Sequence, residues 1–266
     1  LKRRRQQAQL AALERRGLVP SPLVSPAEAS APSAPAGGTA LVWLHGAFGP
    51  SKVWSGAQAA WRRGGLSHVD GWQAPIGPAL RAAQDQPHWF DGSGDALEEH
   101  AVAGALRACA AAGARRVVVA GVSQGGAKAL QVALQWHSLG LPAGLRLAGV
   151  VSVSGWLPAS VRERDIAHGA PVLLVHAAAD EVVAVQRMRR ARDELQARAF
   201  EFDGVAPKFG GVHSGVGFDA RVRGCIEAWV AERLPPAAPL QGPRKRSRGG
   251  DDEGGGGVGA GGGGGG

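Results

Sequence analysis

The chain has 266 residues and a formal net charge of +8, with 42 glycines, 17 prolines and two cysteines. This length fits a single α/β domain with tails. The charge is unevenly distributed. Residues 1–38 hold six basic and two acidic residues, and residues 235–266 hold four basic and three acidic residues. The central residues 39–234 hold 20 basic and 17 acidic residues. The high net charge is therefore partly a property of the two ends, and it does not predict nucleic-acid binding by the central part.

The two ends have the composition of tails. Residues 1–38 begin with an Arg-rich segment and continue with Pro, Ser and Ala, and residues 235–266 pass through PRKRSR to polyglycine. Such segments bury little apolar surface, so we expect both to be disordered. The first is compatible with an organelle transit peptide, although Glu14 and Glu28 count against it. PRKRSR, at 243–248, is typical of a nuclear import or anion-contacting patch, and equally of a solvated tail.

The sequence shown lacks the patterns of secretion, membrane insertion and metal binding. No apolar core follows the basic start, and no uninterrupted apolar run reaches the roughly 18 residues that span a bilayer. Cys109 and Cys225 have no metal or redox spacing, and the histidines lack the paired spacing of a zinc site. We therefore expect reduced thiols, no metal, no cofactor, no transmembrane segment and a cytoplasmic location.

The central part alternates between apolar strands and helix-like segments. In chain order the predicted elements are a strand at 39–45, a loop at 46–51, a weaker strand near 68–72, a helix over 97–112, a strand and a helix within 115–130, strands at 147–153 and 171–176, a helix over 184–197, a strand near 199–202 and a helix over 217–233. The helix over 97–112 is expected to place five residues on one face: Leu97, Ala101, Ala105, Ala108 and Ala112. Val-rich strands separated by helices predict an α/β fold, mainly a parallel sheet covered by helices on both faces.

Gly121, Ser123 and Gly125 form the pattern G-x-S-x-G between a Val-rich strand and a helix. This is the nucleophile elbow of an α/β-hydrolase, in which the serine adopts a strained conformation that lifts its hydroxyl above the sheet. Glycines two residues before and after avoid side chains that would collide there. The amide of Gln124 then faces the position of a tetrahedral oxyanion, at a helix N-terminus. An ordinary serine in a Gly-rich turn is the alternative interpretation.

A serine nucleophile needs a base and a residue that orients the base. In α/β-hydrolases these follow in the order Ser, Asp or Glu, His. Asp180 follows a predicted strand and His213 follows the last one, so both have the required positions. Glu181 is the neighbouring alternative acid, whereas Asp165 precedes its strand and lies at the wrong edge. Asp180 alone is equally typical of a cap for a helix beginning near 182, and His213 of a plain loop histidine.

With these residues identified, the sequence resembles the acyl-protein thioesterase and lysophospholipase (carboxylesterase) family over about residues 39–234. The resemblance rests on six segments: LVWLHG at 41–46, PHWFD at 87–91, GVSQGGA at 121–127, SGWLP at 154–158, H-x-x-x-D at 176–180 and VHSG at 212–215. It departs from the family at AFGPSK after LHG, where a G-D pair is usual, and at HAAAD, where a glycine usually follows the histidine.

The resemblance implies an α/β-hydrolase with Ser123 as nucleophile, His213 as general base and acid, and Asp180 as the orienting acid. It also implies an oxyanion hole formed by the backbone amides of Ala47 and Gln124. Family members hydrolyse fatty acyl thioesters and esters, including S-acylated proteins and lysophospholipids, and hold the acyl chain in an apolar groove. Three aromatic residues are candidates to line that groove or to belong to the core: Phe48, Trp89 and Phe90.

The sequence therefore predicts a serine hydrolase that cleaves acyl thioesters or esters through an acyl-serine intermediate. A broad carboxylesterase for short, soluble esters is one alternative. A hydrolase-like binding module without catalysis, acting through its basic tails, is another. The expected partner is an acyl ester or thioester substrate, including S-acylated proteins, and the sequence does not predict the oligomeric state.

Overall fold

The structure, a computed structural model, describes residues 37–47, 49–80, 86–90, 100–158, 170–204 and 211–236. Strands and α-helices alternate along these residues. In chain order they are β1 (Gly38–Leu44), α1 (Lys52–Arg63), β2 (Gly71–Gln73), β3 (Ala79–Leu80), β4 (Gln86–Pro87), α2 (His100–Ala111), β5 (Ala114–Val122), α3 (Gln124–Leu134), β6 (Arg146–Val153), β7 (Val172–Ala177), α4 (Val185–Leu195), β8 (Arg198–Phe202), α5 (Gly211–Gly215) and α6 (Ala220–Arg233). Short 3₁₀ helices lie at Trp136–Ser138 and Val216–Phe218.

Six strands form one parallel sheet in the order β2-β1-β5-β6-β7-β8, and β3 pairs with β4 in a separate antiparallel ladder. The carboxyl ends of parallel strands meet at the same edge of a sheet, where ligands bind in such folds. The loops after β1, β5, β7 and β8 therefore share one edge, although the strands are far apart in sequence.

The core lies on both faces of this sheet. Along β1, Ala40, Val42 and Leu44 pack toward the cluster that contains residues of α2, α3 and α4. Leu41 and Trp43 pack toward the opposite cluster, which contains residues of α1 and α6. Strands buried on both faces explain the continuous apolar runs in the sequence. The prediction of a mainly parallel sheet with helices on both faces is confirmed.

The helix α1 was not among the predicted elements. Ser51 caps it by accepting a hydrogen bond from the backbone N–H of Trp54 at 3.4 Å, and Trp54, Ala57 and Trp61 are its buried residues. The rings of Trp54 and Trp61 pack against Trp43 of β1, with centroids 4.8 and 5.6 Å away. The helical spacing of these apolar residues was present in the sequence, within a segment that is otherwise polar or small.

The predicted face of α2 was only partly right: Ala101 and Ala105 pack against the core, whereas Ala108 and Ala112 do not. The buried residues are Val102, Ala103, Leu106 and Cys109, whereas Ala108 is exposed. Alanines occur all around this helix, so their spacing does not distinguish one face. The larger side chains decide the orientation, because they remove more apolar surface from water.

Other bounds differ by a few residues or remain untested. The strand predicted near 68–72 is β2, at Gly71–Gln73. The first strand begins at Gly38 and the last helix ends at Arg233, close to the predicted domain limits of 39 and 234. Those limits stay a prediction, because residues 1–36 and 237–266 lie outside the described part, together with Leu97 and Asp165.

No helix among the described residues combines the length and apolar character of a membrane span.

Candidate active site

Ser123 lies between the carboxyl end of β5 and the first turn of α3. Its φ of 54° and ψ of −120° place a non-glycine residue in a strained region of backbone space. The backbone N–H of Ser123 donates to the carbonyl of Val153 at 2.7 Å, which ties this bend to the end of β6. The surrounding structure therefore maintains the strain, and the side chain is only half-buried.

The glycines of this turn are required by close backbone approach. A Cβ at Gly121 would collide with the carbonyl of Gly125, and a Cβ at Gly125 would collide with the carbonyls of Leu44 and His45. These obstacles are main-chain atoms, which cannot rotate away. The pattern G-x-S-x-G is thus a steric requirement of the turn, as the sequence analysis proposed.

His213 faces the serine hydroxyl. The residue belongs to the short helix α5, rather than to the loop that the sequence predicted, and its Nε2 lies 3.1 Å from Ser123 Oγ. Its Nδ1 lies 2.9 and 2.8 Å from the two carboxylate oxygens of Asp180. A carboxylate only accepts hydrogen bonds, so this network assigns the proton to Nδ1 and leaves Nε2 as an acceptor toward the hydroxyl.

Asp180 follows β7 and has two sets of partners. Besides His213, its Oδ1 accepts hydrogen bonds from the backbone N–H groups of Val182 at 3.0 Å and Val183 at 2.8 Å. The capping interpretation and the triad interpretation are therefore both satisfied by one carboxylate. The capped segment is a turn, because the helix predicted near 182 begins at Val185.

Burial on its own would raise the pKa of Asp180, since the side chain has no exposed surface. The hydrogen bond with His213, the backbone N–H groups of Val183 and Val182, and the charge of the histidine outweigh burial and lower this pKa to about 2. The carboxylate is consequently ionised near neutral pH and can stabilise an imidazolium at His213.

Two buried histidines hold the loops around the site. His45 Nε2 accepts a hydrogen bond from the N–H of Gly77 at 2.9 Å, and its Nδ1 lies 2.6 Å from the carbonyl of Gly46. His176 Nε2 lies 2.7 Å from the carbonyl of Val183 and 3.5 Å from Asp180 Oδ2. Burial is the main cause that lowers the pKa of both histidines, which favours their neutral forms.

The two predicted oxyanion donors, Gln124 and Ala47, follow residues that lie next to or close to one another at this edge of the sheet. Gln124 is the first residue of α3, so its N–H has no acceptor within the helix. Ala47 follows Gly46, and a Cβ built on Gly46 would stand 3.6 Å from Ser123 Cβ. The loop after β1 therefore passes next to the serine at Gly46, and the role of the Ala47 amide as second donor stays a prediction.

The groove interpretation of Trp89 does not fit the structure. Trp89 has no exposed surface; its indole N–H donates to the carbonyl of His45 at 2.8 Å, and its backbone N–H donates to Gln124 Oε1 at 3.0 Å. It supports the loop after β1 rather than lining an open groove. Phe90 is also buried and packs on Trp156 with centroids 5.7 Å apart, while Phe48 lies outside the described residues.

A cavity of about 250 Å³ adjoins this edge of the sheet. Gly46 and Val122, which neighbour the serine, form part of its wall, and the rings of Trp43 and Trp54 form another part. The wall also includes polar side chains such as Gln58. The cavity is thus a mixed apolar and polar space next to the proposed oxyanion loop.

The remaining reactive groups do not form a second centre in the part of the chain that is described. Cys109 and Cys225 are free thiols, and burial raises the pKa of both, to about 11 for Cys225. Across those residues, no group of three or more His, Cys, Asp or Glu side chains is placed to hold a metal ion.

Residues 97–209 match the sequence profile of the phospholipase/carboxylesterase family. This stretch includes Ser123 and Asp180. This part of the chain resembles the phospholipase/carboxylesterase family of α/β-hydrolases. The match supports a hydrolase of the carboxylesterase or thioesterase type. Comparison with curated protein sequences gives no match.

Solved structures share the fold of this hydrolase. The crystal structure of Arabidopsis thaliana SOBER1 is 24% identical, covers 74% of this chain and 99% of its own, and gives a TM-score of 0.52. The structure of Zea mays acyl-protein thioesterase 2 is 23% identical, covers 76% of this chain and 97% of its own, and gives a TM-score of 0.51. The structure of esterase PE8 is 23% identical, covers 74% of this chain and 93% of its own, and gives a TM-score of 0.57. At these identities the likeness supports the fold.

Sequence reasoning missed the contacts that surround Ser123, Asp180 and His213. Glu181, considered as the alternative acid, contacts the backbone of Val212 and His213 rather than the imidazole. Gln124 was considered only for its backbone amide. Its side-chain oxygen also accepts a hydrogen bond from the backbone N–H of Trp89. No spacing rule joins such partners, since the contacts form between separate loops.

Proposed function

We propose that this hydrolase cleaves acyl thioesters or oxygen esters through an acyl-serine intermediate. Ser123 is the nucleophile, His213 the general base and acid, and Asp180 the residue that orients the imidazole. The observation that supports this most strongly is the continuous relay from Ser123 Oγ to His213 Nε2 at 3.1 Å and from His213 Nδ1 to Asp180 at 2.8 Å. A nucleophile, a base and an orienting acid within hydrogen-bond reach are the requirements of covalent acyl transfer.

In the first step Ser123 Oγ attacks the acyl carbonyl while His213 Nε2 takes the hydroxyl proton. The carbonyl oxygen becomes negatively charged, and the backbone amides of Gln124 and Ala47 stabilise it. The tetrahedral intermediate then collapses, and the thiol or alcohol leaves with the proton that His213 returns. Ionised Asp180 stabilises the imidazolium during this step.

In the second step a water molecule attacks the acyl-serine. His213 Nε2 removes a proton from that water, the same two amides stabilise the second oxyanion, and Ser123 regains its proton when the carboxylic acid leaves. Each proton that His213 takes up is returned within the same step, and the acyl group passes from the substrate to Ser123 and then to water. The proposed reaction therefore uses only the substrate, water and residues of this chain.

For the substrate class we propose fatty acyl thioesters or esters, of the S-acyl protein or lysophospholipid type. The segments GVSQGGA and SGWLP resemble the acyl-protein thioesterase and lysophospholipase family, and one structural neighbour is an acyl-protein thioesterase. The cavity beside Gly46 and Val122 offers apolar and aromatic surface near the carboxyl ends of β1 and β5.

A broad carboxylesterase for short esters is the second candidate. It is favoured by the burial of Trp89 and Phe90, two aromatic residues that a long-chain groove was expected to expose. Turnover of acetyl and palmitoyl thioesters separates the two candidates, because an acyl groove increases kcat/KM for the longer chain. Equal or lower kcat/KM for the palmitoyl substrate would support the short-chain esterase.

Replacement of the nucleophile tests the proposed chemistry. In the Ser123→Ala chain we expect kcat for acyl esters to fall by about 10⁴ to 10⁶, because the covalent route is lost. A fluorophosphonate probe should label the parent, and mass mapping should place the label on residue 123. Ser67→Ala is the matched control, since Ser67 is exposed near the end of α1, away from the carboxyl edge of the sheet.

Two results would contradict the assignment. One is hydrolysis of acyl esters by the Ser123→Ala chain at the rate of the parent. The other is a folded parent chain that the fluorophosphonate does not label, which would favour a hydrolase-like binding module without catalysis.

A further inference from the structure

Two consecutive acidic residues after β7 contact α5 in different ways. Asp180 binds the ring of His213, whereas Glu181 binds the backbone that carries this ring. Glu181 Oε2 accepts hydrogen bonds from the N–H groups of Val212 at 3.0 Å and His213 at 3.2 Å, and its Oε1 lies 3.2 Å from the same N–H of His213. The proposed general base is therefore held at its side chain and at its main chain.

The geometry of Gly211 fits this contact. Gly211 has a φ of 68°, and a Cβ at this position would collide with Glu181 Oε1. The carboxylate thus lies where any other residue would place its side chain.

The helix α5 cannot define its own position. It has five residues, and a helix of little more than one turn is not stable by itself in water. The N–H groups of its first turn have no acceptor within the helix, and a carboxylate at that end satisfies them and interacts favourably with the helix dipole. An external contact of this kind fixes where the backbone of His213 lies.

This contact contributes more to geometry than to stability. Glu181 is exposed, and exposed contacts of charged side chains contribute at most about 1 kcal/mol. A displacement of about 1 Å in a reacting group, by contrast, costs up to about 100-fold in rate. Loss of Glu181 should therefore be visible in turnover before it is visible in folding.

We propose that Glu181 is a positioning residue, whose carboxylate fixes the backbone of α5 so that the His213 imidazole meets Ser123 and Asp180 together. This inference rests on the proposed function, because positioning has a consequence only if His213 acts as the base. It assigns to Glu181 a role distinct from the orienting acid for which the sequence offered it as an alternative.

Hydrolysis of p-nitrophenyl butyrate by variants of the full chain tests the role. We expect Glu181→Ala to lower kcat by about 10-fold with KM changed less than 2-fold, since the base is displaced while the binding surface is kept. Glu181→Gln should recover most of kcat, because its amide oxygen accepts the same N–H groups. Fluorophosphonate labelling of residue 123 should slow in parallel in the alanine variant.

Glu227→Ala is a matched control. Glu227 Oε1 accepts the backbone N–H of Gly65 at 2.8 Å, so it also joins a glutamate to the main chain of a distant segment. Gly65 follows the end of α1, at the sheet edge opposite the serine. This variant should lose as much thermal stability as Glu181→Ala and keep the kcat of the parent within 2-fold.

The outcomes separate the two proposals. A Glu181→Ala chain with the kcat of the parent, or a kcat loss shared equally by Glu227→Ala, would overturn the positioning role alone. A Glu181→Gln chain as slow as the alanine variant would also overturn the positioning role. It would show that kcat does not depend on a side-chain oxygen that accepts the N–H groups of Val212 and His213. Full activity of the Ser123→Ala chain would instead remove the proposed function, and the positioning role with it.

Discussion

At the scale of single residues, Asp180 links folding to the proposed chemistry. The same buried carboxylate accepts two backbone N–H groups of its turn, and both of its oxygens lie within 2.9 Å of His213 Nδ1. These partners outweigh the cost of burial and hold its pKa at about 2, against an ordinary value of 3.8. A group with a depressed folded pKa stabilises the protein above its unfolded pKa, and that stability is lost as pH falls toward the folded value.

We therefore predict an acid limb of stability that depends on Asp180. Between about pH 4 and pH 2 the parent should lose on the order of 2 kcal/mol of unfolding free energy from this group, because the unfolded chain takes up the proton first. Urea unfolding midpoints of parent and Asp180→Asn, measured in steps over this range, check it. A difference between the two proteins that stays constant down to pH 2 would contradict the prediction.

At the scale of elements, the strand β5, the bend and the helix α3 form a unit in which backbone atoms are in van der Waals contact with one another. The positive φ of Ser123 and the absence of side chains at Gly121 and Gly125 are two aspects of one geometry. A side chain added there meets carbonyl groups of β1 or α3, so the bend must move. Moving the bend changes the direction of the serine hydroxyl.

Gly125→Ala should therefore be destabilising and inactivating. We expect a loss of about 1 to 3 kcal/mol from overpacking, and a fall in fluorophosphonate labelling of the folded fraction. Gly104→Ala is the control: Gly104 is exposed within α2 with nothing near its added Cβ, and this change should stabilise by about 0.4 to 1 kcal/mol. Thermal unfolding measures both. An unfolding free energy for Gly125→Ala equal to that of the parent would show that the bend tolerates a side chain.

At the scale of the whole molecule, the sheet assembles the site. Ser123, Asp180 and His213 follow three different strands, β5, β7 and β8, whose carboxyl ends lie at one edge. The two core clusters, one on each face, keep these strands in register. The relay geometry is therefore a property of the complete sheet, and no shorter unit of the chain contains it.

We predict that a chain consisting of residues 37–236 folds and reacts like the full protein. It contains the sheet, both core clusters and the three residues of the relay. Its melting temperature should lie within a few degrees of that of the full chain, with the same rate of fluorophosphonate labelling at residue 123. Loss of folding on this truncation would show that the ends contribute to the domain and would reject the limits proposed from composition.

Much of the fold and the identity of the candidate site residues were predicted from the sequence alone. Apolar runs such as that of β5 predicted the strands because parallel strands are buried on both faces, and the order of Ser123, Asp180 and His213 predicted a triad because the fold requires that order. The face of α2 was predicted only in part, because an alanine-rich helix has no clear apolar stripe. The helix α1 was missed as well, since its tryptophans are separated by polar and small residues.

The tertiary structure alone decided how the site is held. The bond of Trp89 to the loop after β1, the capping of α5 by Glu181, and the burial that lowers the pKa of His45 all depend on segments that meet only in the folded chain. The physical reason is that the contacting residues are far apart in the sequence. Local pattern records which face of an element is buried, whereas hydrogen bonds between loops depend on distances and angles that the packing of the whole sheet determines.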